Sequence, residues 1–287
     1  MHILLGGTGH VGSAAALRLL EMNEPVTVVS RSDAARDQWE QRGARLAVAD
    51  VLDTDALREV LRQGSRAFLL NPNADVATDT DAQEKRTVAS ILEALQGSGL
   101  EQVVVESTMG AQPGERLGDL NVLYEFEQGL QRQAIPASVI RAAYYMSNWD
   151  MSLDAVRESG RLETMLPADL AIPMVAPQDL GEAAARLLTA PRGEHGVHYV
   201  EGPQRYSAND VAEAFARALN RTVEVVVTPR DQWIAAYRKI GFSEAAAESY
   251  ARMTAVSVDS GFETTAATER GNTTLGAYVE ALVRQKA

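Results

Sequence analysis

The chain has 287 residues, of which 46% are hydrophobic, so it is long enough for one large domain or for a large and a small one. Its formal net charge of −12 at pH 7 argues against a general affinity for nucleic acid, which requires a basic surface. The absence of cysteine excludes disulfides, thiolate metal ligands and cysteine nucleophiles. Met1 opens the first predicted strand and no apolar run is long enough for a membrane span, so we expect no signal peptide, no membrane anchor and a cytoplasmic location.

The first twelve residues, MHILLGGTGHVG, predict a strand, a glycine-rich turn and the start of a helix. An apolar segment, Met1–Leu5, is followed by glycines with the spacing G-x-x-G-x-x-G, and a helical pattern then covers Ser13–Glu21. Backbone N–H groups at the N-terminus of such a helix bind a pyrophosphate, and glycines permit the tight turn and the close approach. The sequence therefore predicts a dinucleotide site formed by Gly6, Thr8, Gly9, His10, Val11 and Gly12.

Short apolar segments alternate with longer amphipathic ones through the first half of the chain, which is typical of parallel βαβ units. The further predicted strands are Pro25–Ser30, Ala44–Ala49, Ala67–Leu70, Gln102–Glu106 and Ala137–Arg141. The predicted helices between them are Asp33–Arg42, Thr54–Gln63, Asp81–Gln96 and Leu120–Gln133. Six such strands with right-handed crossovers complete an α/β fold with a doubly wound parallel sheet of the Rossmann type.

The pattern changes after Met146. The predicted elements are helices over Trp149–Ser159, Leu180–Leu188 and Asn209–Leu219, the last capped by Ser207, an extended or turning segment from Leu170 through Pro177, and strands over Val197–Val200 and Val223–Val227. We predict a nucleotide-binding core over residues 1–150, to which 171–202 returns, and a smaller, mostly helical C-terminal lobe over 151–170 and 203–287. Ligands of open α/β sheets bind beyond the carboxyl ends of the strands, so we expect a small-molecule substrate in the cleft between core and lobe.

The end of the second strand indicates which cofactor is bound. An NAD-selective fold has Asp or Glu there, whereas this chain has Ser30 and Arg31. A carboxylate would repel the 2′-phosphate of NADP, and a guanidinium can bind it through charge-assisted hydrogen bonds. We therefore predict that Ser30 and Arg31 bind NADP(H) in preference to NAD; the alternative is a solvated surface arginine.

Polar residues also follow the third, fourth and fifth strands at the same edge of the sheet. We predict cofactor contacts from Asp50 and Val51 beside the adenine, from Asn71 and Pro72 near the pyrophosphate or nicotinamide ribose, and from Ser107 and Thr108 near the nicotinamide or a substrate carbonyl. Each pair has a structural alternative, because Asp and Asn-Pro also form turns and hydroxyl groups also cap backbone N–H groups.

Several of these segments together resemble the NmrA-like family of atypical short-chain dehydrogenase/reductases. The likeness runs from GGTGHVG and Ser30-Arg31 through EKRTVASILEAL, VVVEST and Glu127 to VIRAAYYMSN, and continues with HYVEGPQRYSANDVAEAFARALNRTVEVV in the C-terminal lobe. It covers most of the chain. The resemblance implies an NADP-binding core with a substrate or a regulatory ligand in the interlobe cleft.

The chain departs from typical short-chain dehydrogenases at the catalytic pair Tyr-x-x-x-Lys, in which the lysine lowers the pKa of the tyrosine. No tyrosine here is followed four residues later by lysine; Tyr124, for example, is followed by Gln128. Reduction of a quinone-like or other electron-poor aromatic acceptor depends mainly on the cofactor and on orientation. We therefore predict such an NADPH-dependent reductase, with Tyr144 and Tyr145, directly after the sixth strand, as the candidate catalytic residues.

The alternative function is a non-catalytic NADP-binding redox sensor that signals to a protein partner, as some members of the resembling family do. The missing tyrosine–lysine pair favours it. The four histidines are too scattered along the chain to predict a metal site. The sequence is also compatible with a homodimer.

Overall fold

The structure is a computed structural model that describes residues 1–191, 195–263 and 265–286. Its strands are β1 His2–Leu5, β2 Val26–Ser30, β3 Arg45–Val48, β4 Arg66–Leu69, β5 Gln102–Thr108, β6 Ala137–Ala142, β7 Tyr144–Tyr145, β8 Arg161–Thr164, β9 Ile172–Val175, β10 Gly196–Glu201, β11 Arg205–Tyr206, β12 Glu224–Val227 and β13 Glu269–Arg270. Eight of them form the central sheet, in the order β13-β10-β6-β5-β4-β1-β2-β3. Every neighbouring pair in this sheet is parallel, which places all carboxyl ends at one edge.

The α-helices are α1 His10–Glu21, α2 Arg36–Gln41, α3 Thr54–Leu61, α4 Thr80–Leu95, α5 Asp119–Gln131, α6 Ser152–Ser159, α7 Pro177–Thr189, α8 Ala208–Leu219, α9 Trp233–Lys239, α10 Glu244–Ser260 and α11 Leu275–Gln285. Alternate side chains of the central strands point to opposite faces of the sheet. Leu4, Phe68 and Val104 pack against α1 and α7, and Ile3 and Leu69 pack against α3, α4 and α5. Both faces of the sheet are therefore buried, as its apolar strands require.

The C-terminal part has its own hydrophobic cluster, which includes Trp149, Leu162, Phe215 and Val279. Helices α6, α8 and α11 pack together around it, beside the small sheets β11-β9-β7 and β12-β8. The predicted cap of α8 is present as a capping box: Ser207 accepts a hydrogen bond from the backbone N–H of Asp210, whose carboxylate accepts one from the N–H of Ser207.

The predicted doubly wound parallel sheet is confirmed, with two differences in detail. The sheet has eight strands instead of six, because β10 and β13 extend it beyond β6. The prediction that Pro177 lies in an extended or turning segment is wrong: it is the first residue of α7, a position where its missing N–H costs no hydrogen bond. The boundaries predicted between core and lobe stay a prediction; residues 192–194, 264 and 287 of those segments lie outside the described part.

A search of the described helices for a membrane-spanning segment finds none that is both long and apolar enough.

Candidate functional site

The glycine-rich turn between β1 and α1 is tightly closed. Gly6 has φ of +67°, a left-handed conformation that favours glycine, and its carbonyl accepts a hydrogen bond from the N–H of Gly9 at 2.9 Å. A Cβ atom on Gly12 would lie 2.3 Å from the Gly6 carbonyl oxygen. The backbone of α1 therefore approaches the turn so closely that only glycine fits at position 12.

The N-terminus of α1 is open to an anion. The first intrahelical hydrogen bond is donated by Ser13 to Gly9, so the N–H groups of His10, Val11 and Gly12 have no partner within the helix. Thr8, Gly9 and His10 are exposed, the N-cap Gly9 supplies no capping side chain, and the first turn contains no acidic residue. Free N–H groups and the positive end of the helix dipole favour an anion here, and the contacts of these residues with a pyrophosphate stay a prediction.

The structure leaves the Arg31 side chain free at the carboxyl end of β2. Ser30 is the last residue of the strand, and its Oγ accepts a hydrogen bond from the N–H of Ser32 at 3.4 Å. Arg31 is exposed and, among the described residues, its guanidinium makes no hydrogen bond or ion pair. A charged group without a protein partner is available for a ligand.

The residues after β3 and β4 differ in how they use their polar groups. Asp50 is exposed and its carboxylate accepts the N–H of Leu52 at 2.9 Å, while the carbonyl of the nearly buried Val51 accepts the Ser90 hydroxyl at 2.6 Å. The Oδ1 atom of Asn71 is buried and has no hydrogen-bond partner in the described part of the chain. Such an acceptor calls for an explanation, and a donor on a bound ligand is one. Pro72 is half-buried beside it.

The hydroxyl groups at the end of β5 already have partners in the protein. Ser107 is 1% exposed and donates to Glu127 Oε1 at 2.5 Å, on the sheet face that α5 covers. Thr108 is half-buried and donates to the carbonyl oxygen of Met109 at 3.2 Å. A cofactor contact by Ser107 would require exchange of its hydrogen bond, and for both residues the contact stays a prediction.

An ion pair that sequence reasoning missed holds α5 against β6. Arg141 donates to both carboxylate oxygens of the buried Glu127, from Nε to Oε1 at 2.9 Å and from Nη2 to Oε2 at 2.7 Å. The Arg141 guanidinium also lies 5.8 Å from the ring centroid of Tyr199, within cation–π range. Glu127 is part of the family resemblance, but Arg141 lies beside it only in the folded chain, so no local pattern predicts the pair.

Tyr144 and Tyr145 form β7, which pairs with β9, and both side chains are half-buried. The Tyr144 ring lies 6.1 Å from that of Trp149, and burial raises the pKa of Tyr144 to about 12. Tyr145 donates from Oη to Glu106 Oε1 at 2.5 Å, and burial together with that carboxyl raises the pKa of Tyr145 well above its ordinary value. Both phenols therefore remain protonated at neutral pH, so they can donate a proton but cannot start as bases.

Glu106 is the second residue that sequence reasoning missed. It directly follows the apolar run Val103–Val105 in strand β5 and is 7% exposed, and burial raises its pKa to about 7, against the opposing effect of the Tyr145 hydrogen bond. An acidic residue next to this buried apolar run is the available signal, because a buried carboxyl group needs a partner or a function.

Two further carboxyl groups and a cluster of rings lie near these tyrosines. Burial is the main cause that raises the pKa of Glu84 in α4 to about 8, and the nearby Asp119 adds to it. Asp119, the first residue of α5, also raises the pKa of Tyr145 and of Tyr250 in α10. Tyr250 packs with two other rings, with centroids 5.0–5.9 Å apart; those rings belong to Tyr237 and Phe242. Helices α9 and α10 thus bring aromatic side chains to the carboxyl side of the sheet.

The profile of the NmrA-like family matches residues 3–279 of this chain. The chain belongs to the NmrA-like family. This confirms the resemblance seen in the glycine turn and in the segment through VIRAAYYMSN. In the part of this NmrA-like chain that the structure describes, no three His, Asp or Glu side chains are arranged to hold a metal ion.

Individual relatives agree with this membership. The NmrA-like chain is 26% identical over 249 residues to an NAD(P)H azoreductase of Xenophilus azovorans, covering 87% of this chain and 84% of the relative. It is 25% identical over 244 residues to a nitrogen metabolite regulation-like protein of Gibberella fujikuroi, covering 76% and 72%. Its fold matches an NADPH-dependent quinone oxidoreductase from Escherichia coli, solved with NADPH, with a TM-score of 0.80 and 20% identity over 98% of this chain and 99% of that one.

Proposed function

We propose that this protein is an NADPH-dependent reductase of electron-poor aromatic acceptors, such as quinones or azo compounds. The observation that carries the proposal is the open anion site at α1 with the free guanidinium of Arg31 at the end of the neighbouring strand β2. An exposed cation beside a pyrophosphate site suits the 2′-phosphate that distinguishes NADP from NAD. The azoreductase and the quinone oxidoreductase that the chain resembles support the choice of acceptor.

The polar groups at the sheet edge fit this cofactor. The N–H groups of His10, Val11 and Gly12 would bind the pyrophosphate, and Ser30 with Arg31 would bind the 2′-phosphate. A ribose hydroxyl or amide donor would satisfy the buried Oδ1 of Asn71. Bound NADPH supplies a hydride. We further assign Thr8 and Gly9 to the phosphate turn, Asp50 and Val51 to the adenine, and Pro72, Ser107 and Thr108 to the nicotinamide half.

The acceptor site that we propose lies beside the two tyrosines of β7. Tyr144, whose ring lies 6.1 Å from that of Trp149, offers an aromatic surface for a flat ring. Tyr237, which packs against Tyr250, is close enough to Tyr144 to raise its pKa electrostatically. Stacking on such rings favours planar apolar acceptors. Tyr144 and Tyr145 are the candidate catalytic residues, as proton donors. The cytoplasmic location and the homodimer expected from the sequence stay predictions.

A second candidate function is an NADP-binding regulatory protein. The specific observation in its favour is that Gln128 stands where a Tyr124-x-x-x-Lys pair would need its lysine. The resemblance to a nitrogen metabolite regulation-like protein agrees with it. Such a protein would bind the cofactor at the same residues and would transfer no hydride.

One experiment separates the two functions. NADPH absorbance is followed with a panel of quinones, azo dyes and enones, and binding of NADP⁺ and NAD⁺ is measured by calorimetry. We expect tighter binding of NADP⁺ and turnover with at least one acceptor. Tight NADP⁺ binding without turnover would favour the regulatory protein, and failure to bind either nucleotide would contradict both functions.

A further inference from the structure

The reduction of a quinone or azo acceptor consumes a proton as well as a hydride, and this chain has no tyrosine–lysine pair to deliver it. We propose that Glu106 and Tyr145 form a proton relay, in which Tyr145 protonates the reduced acceptor and Glu106 restores the Tyr145 proton. The inference rests on the proposed reductase function and adds a residue, Glu106, that acts through Tyr145.

The two side chains come together from adjacent parts of the sheet edge. Glu106 lies near the carboxyl end of β5, and Tyr145 follows β6, the next strand of the sheet. Their oxygens, Oε1 and Oη, are 2.5 Å apart, the length of a strong hydrogen bond. Among the described residues, Tyr145 is the hydrogen-bond partner of the Glu106 carboxyl. Tyr145 is half-buried and Glu106 retains 7% exposure, so the tyrosine can meet a ligand and solvent can reach the acid.

In the described part of the chain, no basic side chain forms a hydrogen bond or ion pair with Glu106. The sheet face on which it lies is covered by α1 and α7, from which apolar side chains such as Val11 and Leu180 pack onto it; the buried carboxylate of α7, Asp179, accepts hydrogen bonds from Thr273. Arg141 lies on the opposite face of the sheet, where it donates to Glu127, Tyr199 and Glu263. The remaining charged group that influences the pair is Asp119, which acts on Tyr145 and also disfavours negative charge there.

Burial therefore keeps Glu106 protonated to an unusual extent, with a pKa of about 7. An acid whose pKa is close to the working pH is the most effective proton donor, because a large fraction of it is protonated and it is still acidic enough to transfer the proton. A tyrosine alone, with its pKa raised well above the ordinary value, would be slow to donate unless its oxygen received a proton at the same time.

The step balances as follows. When the acceptor is bound, the Tyr145 O–H turns from Glu106 toward the acceptor, and the protonated Glu106 carboxyl donates to Tyr145 Oη instead. The acceptor gains a hydride, which supplies both electrons, and the resulting anion takes the proton of Tyr145. As that O–H bond breaks, the proton of the neutral Glu106 carboxyl moves to Tyr145 Oη, so the tyrosine ends the step uncharged. Glu106 is left as a carboxylate, and a proton from solvent returns it to the neutral acid. Neither residue is oxidised or reduced.

The first test uses the protein without cofactor. Infrared difference spectra over a pH titration report the carbonyl stretch of each protonated carboxyl group. We expect a band that disappears as pH rises through about 7 in the wild type and is missing in Glu106→Gln, while Glu84→Gln removes a separate band that titrates near 8. If Glu106→Gln removes no band at neutral pH, the acid is already ionised and the relay is excluded.

The second test is the pH profile of NADPH oxidation with the best acceptor. Glutamine at position 106 still accepts the Tyr145 hydrogen bond but carries no acidic proton. We expect kcat of the wild type to fall as pH rises through about 7. Glu106→Gln should lower kcat at pH 6 by roughly 100-fold and make kcat independent of pH in this range, with the NADPH affinity unchanged. Tyr145→Phe should cause a similar loss, and the double variant no greater one, because the two residues act as a unit.

Tyr278→Phe is the matched control, because it removes another tyrosine–carboxyl hydrogen bond, to Asp150 at 2.8 Å, in the C-terminal helix α11. It should keep the wild-type pH profile. If the wild type turns over and Glu106→Gln keeps both kcat and the profile, the relay is wrong while the reductase function stands. If none of the tested acceptors supports NADPH oxidation by the wild type, the reductase function fails. The infrared titration still decides in that case whether Glu106 is a neutral acid.

Discussion

Gly12 in the first turn of α1 packs directly against the carbonyl group of Gly6, so that a Cβ atom at position 12 would lie 2.3 Å from that oxygen. The neighbouring atoms are backbone and cannot swing away, unlike the end of a flexible side chain. The contact fixes the turn between β1 and α1, and with it the direction of the free N–H groups. The phosphate site that we propose therefore depends on this close approach between two backbone segments.

Gly12→Ala should displace the turn, and we expect at least a tenfold loss of NADPH affinity and a lower Tm. The matched control is Gly276→Ala, in the first turn of α11, where an added Cβ meets no atom within 4 Å. There alanine should stabilise the fold by roughly 0.5 kcal/mol, because it restricts the unfolded chain. Fluorescence titration with NADPH and thermal melting measure both effects. Normal NADPH affinity in Gly12→Ala would remove the turn from the proposed site.

Arg31→Ala should weaken NADPH binding by roughly tenfold and leave NADH binding nearly unchanged, because the guanidinium would contact only the 2′-phosphate. Arg45→Ala is the control. Arg45 is also exposed, but it is the first residue of β3 and so lies at the amino ends of the strands, away from the carboxyl ends where Arg31 lies. Calorimetry with both nucleotides at one fixed ionic strength measures the ratio of affinities. A variant that discriminates as well as the wild type would show that Arg31 is a surface residue only.

Glu127→Gln should destabilise the fold by about 3 kcal/mol, because it removes the buried counter-charge of the largely buried Arg141 and leaves only the exposed Glu263 at 3.4 Å. Glu213→Gln, which breaks the exposed pair with Arg217 on α8, should change the free energy of unfolding by less than about 0.5 kcal/mol. Urea denaturation of both variants gives the comparison. Equal effects would mean that the Arg141–Glu127 contact adds no more than a surface pair.

Glu84 should make the fold less stable as pH rises. Burial raises its pKa from 4.5 to about 8, so between these values the folded state holds a proton that the unfolded state has released. Stability should therefore fall with pH across this window, by up to about 1.4 kcal/mol per unit, and level off above it. In Glu84→Gln this slope should be reduced and the part due to Glu106 should remain, whereas Glu93→Gln, an exposed site on the same helix, should retain the full slope. Urea unfolding at pH 6, 7 and 8 measures the slopes; identical slopes in Glu84→Gln and the wild type would contradict the assignment.

Local patterns in the sequence are enough to predict the sheet and the glycine-rich turn between β1 and α1. Alternating apolar and amphipathic segments mark strands and helices, and the glycine spacing of the first turn marks a place where two backbone segments lie close together. The strand β13 was not predicted, because Glu269–Arg270 has no apolar pattern and pairs with β10 only through the tertiary fold. Pro177 was misread because proline is equally typical of a turn and of the first position in a helix.

The candidate site was predictable where it depends on strand ends and not where it depends on contacts across the fold. The placement of Arg31 and Asn71 at one edge of the sheet is predicted from the ends of β2 and β4, because the carboxyl ends of parallel strands lie at the same edge. The partner of Tyr145 could not be read from the sequence, because Glu106 lies 39 positions earlier and meets it only after β5 and β6 pair. The same holds for Arg141 and Glu127, because they lie on different elements, β6 and α5, and no helix or strand spacing relates their positions.

The most direct test of the account is single-turnover hydride transfer. The protein is mixed with a limiting amount of NADPH carrying deuterium at C4 of the nicotinamide, and with the quinone or azo acceptor that gives the fastest turnover. We expect the absorbance of enzyme-bound NADPH to decay, and to decay more slowly for the deuterated than for the unlabelled cofactor. Arg31→Ala should need a higher NADPH concentration to reach the same rate. Saturated binding of NADPH with no decay for any acceptor would contradict the account.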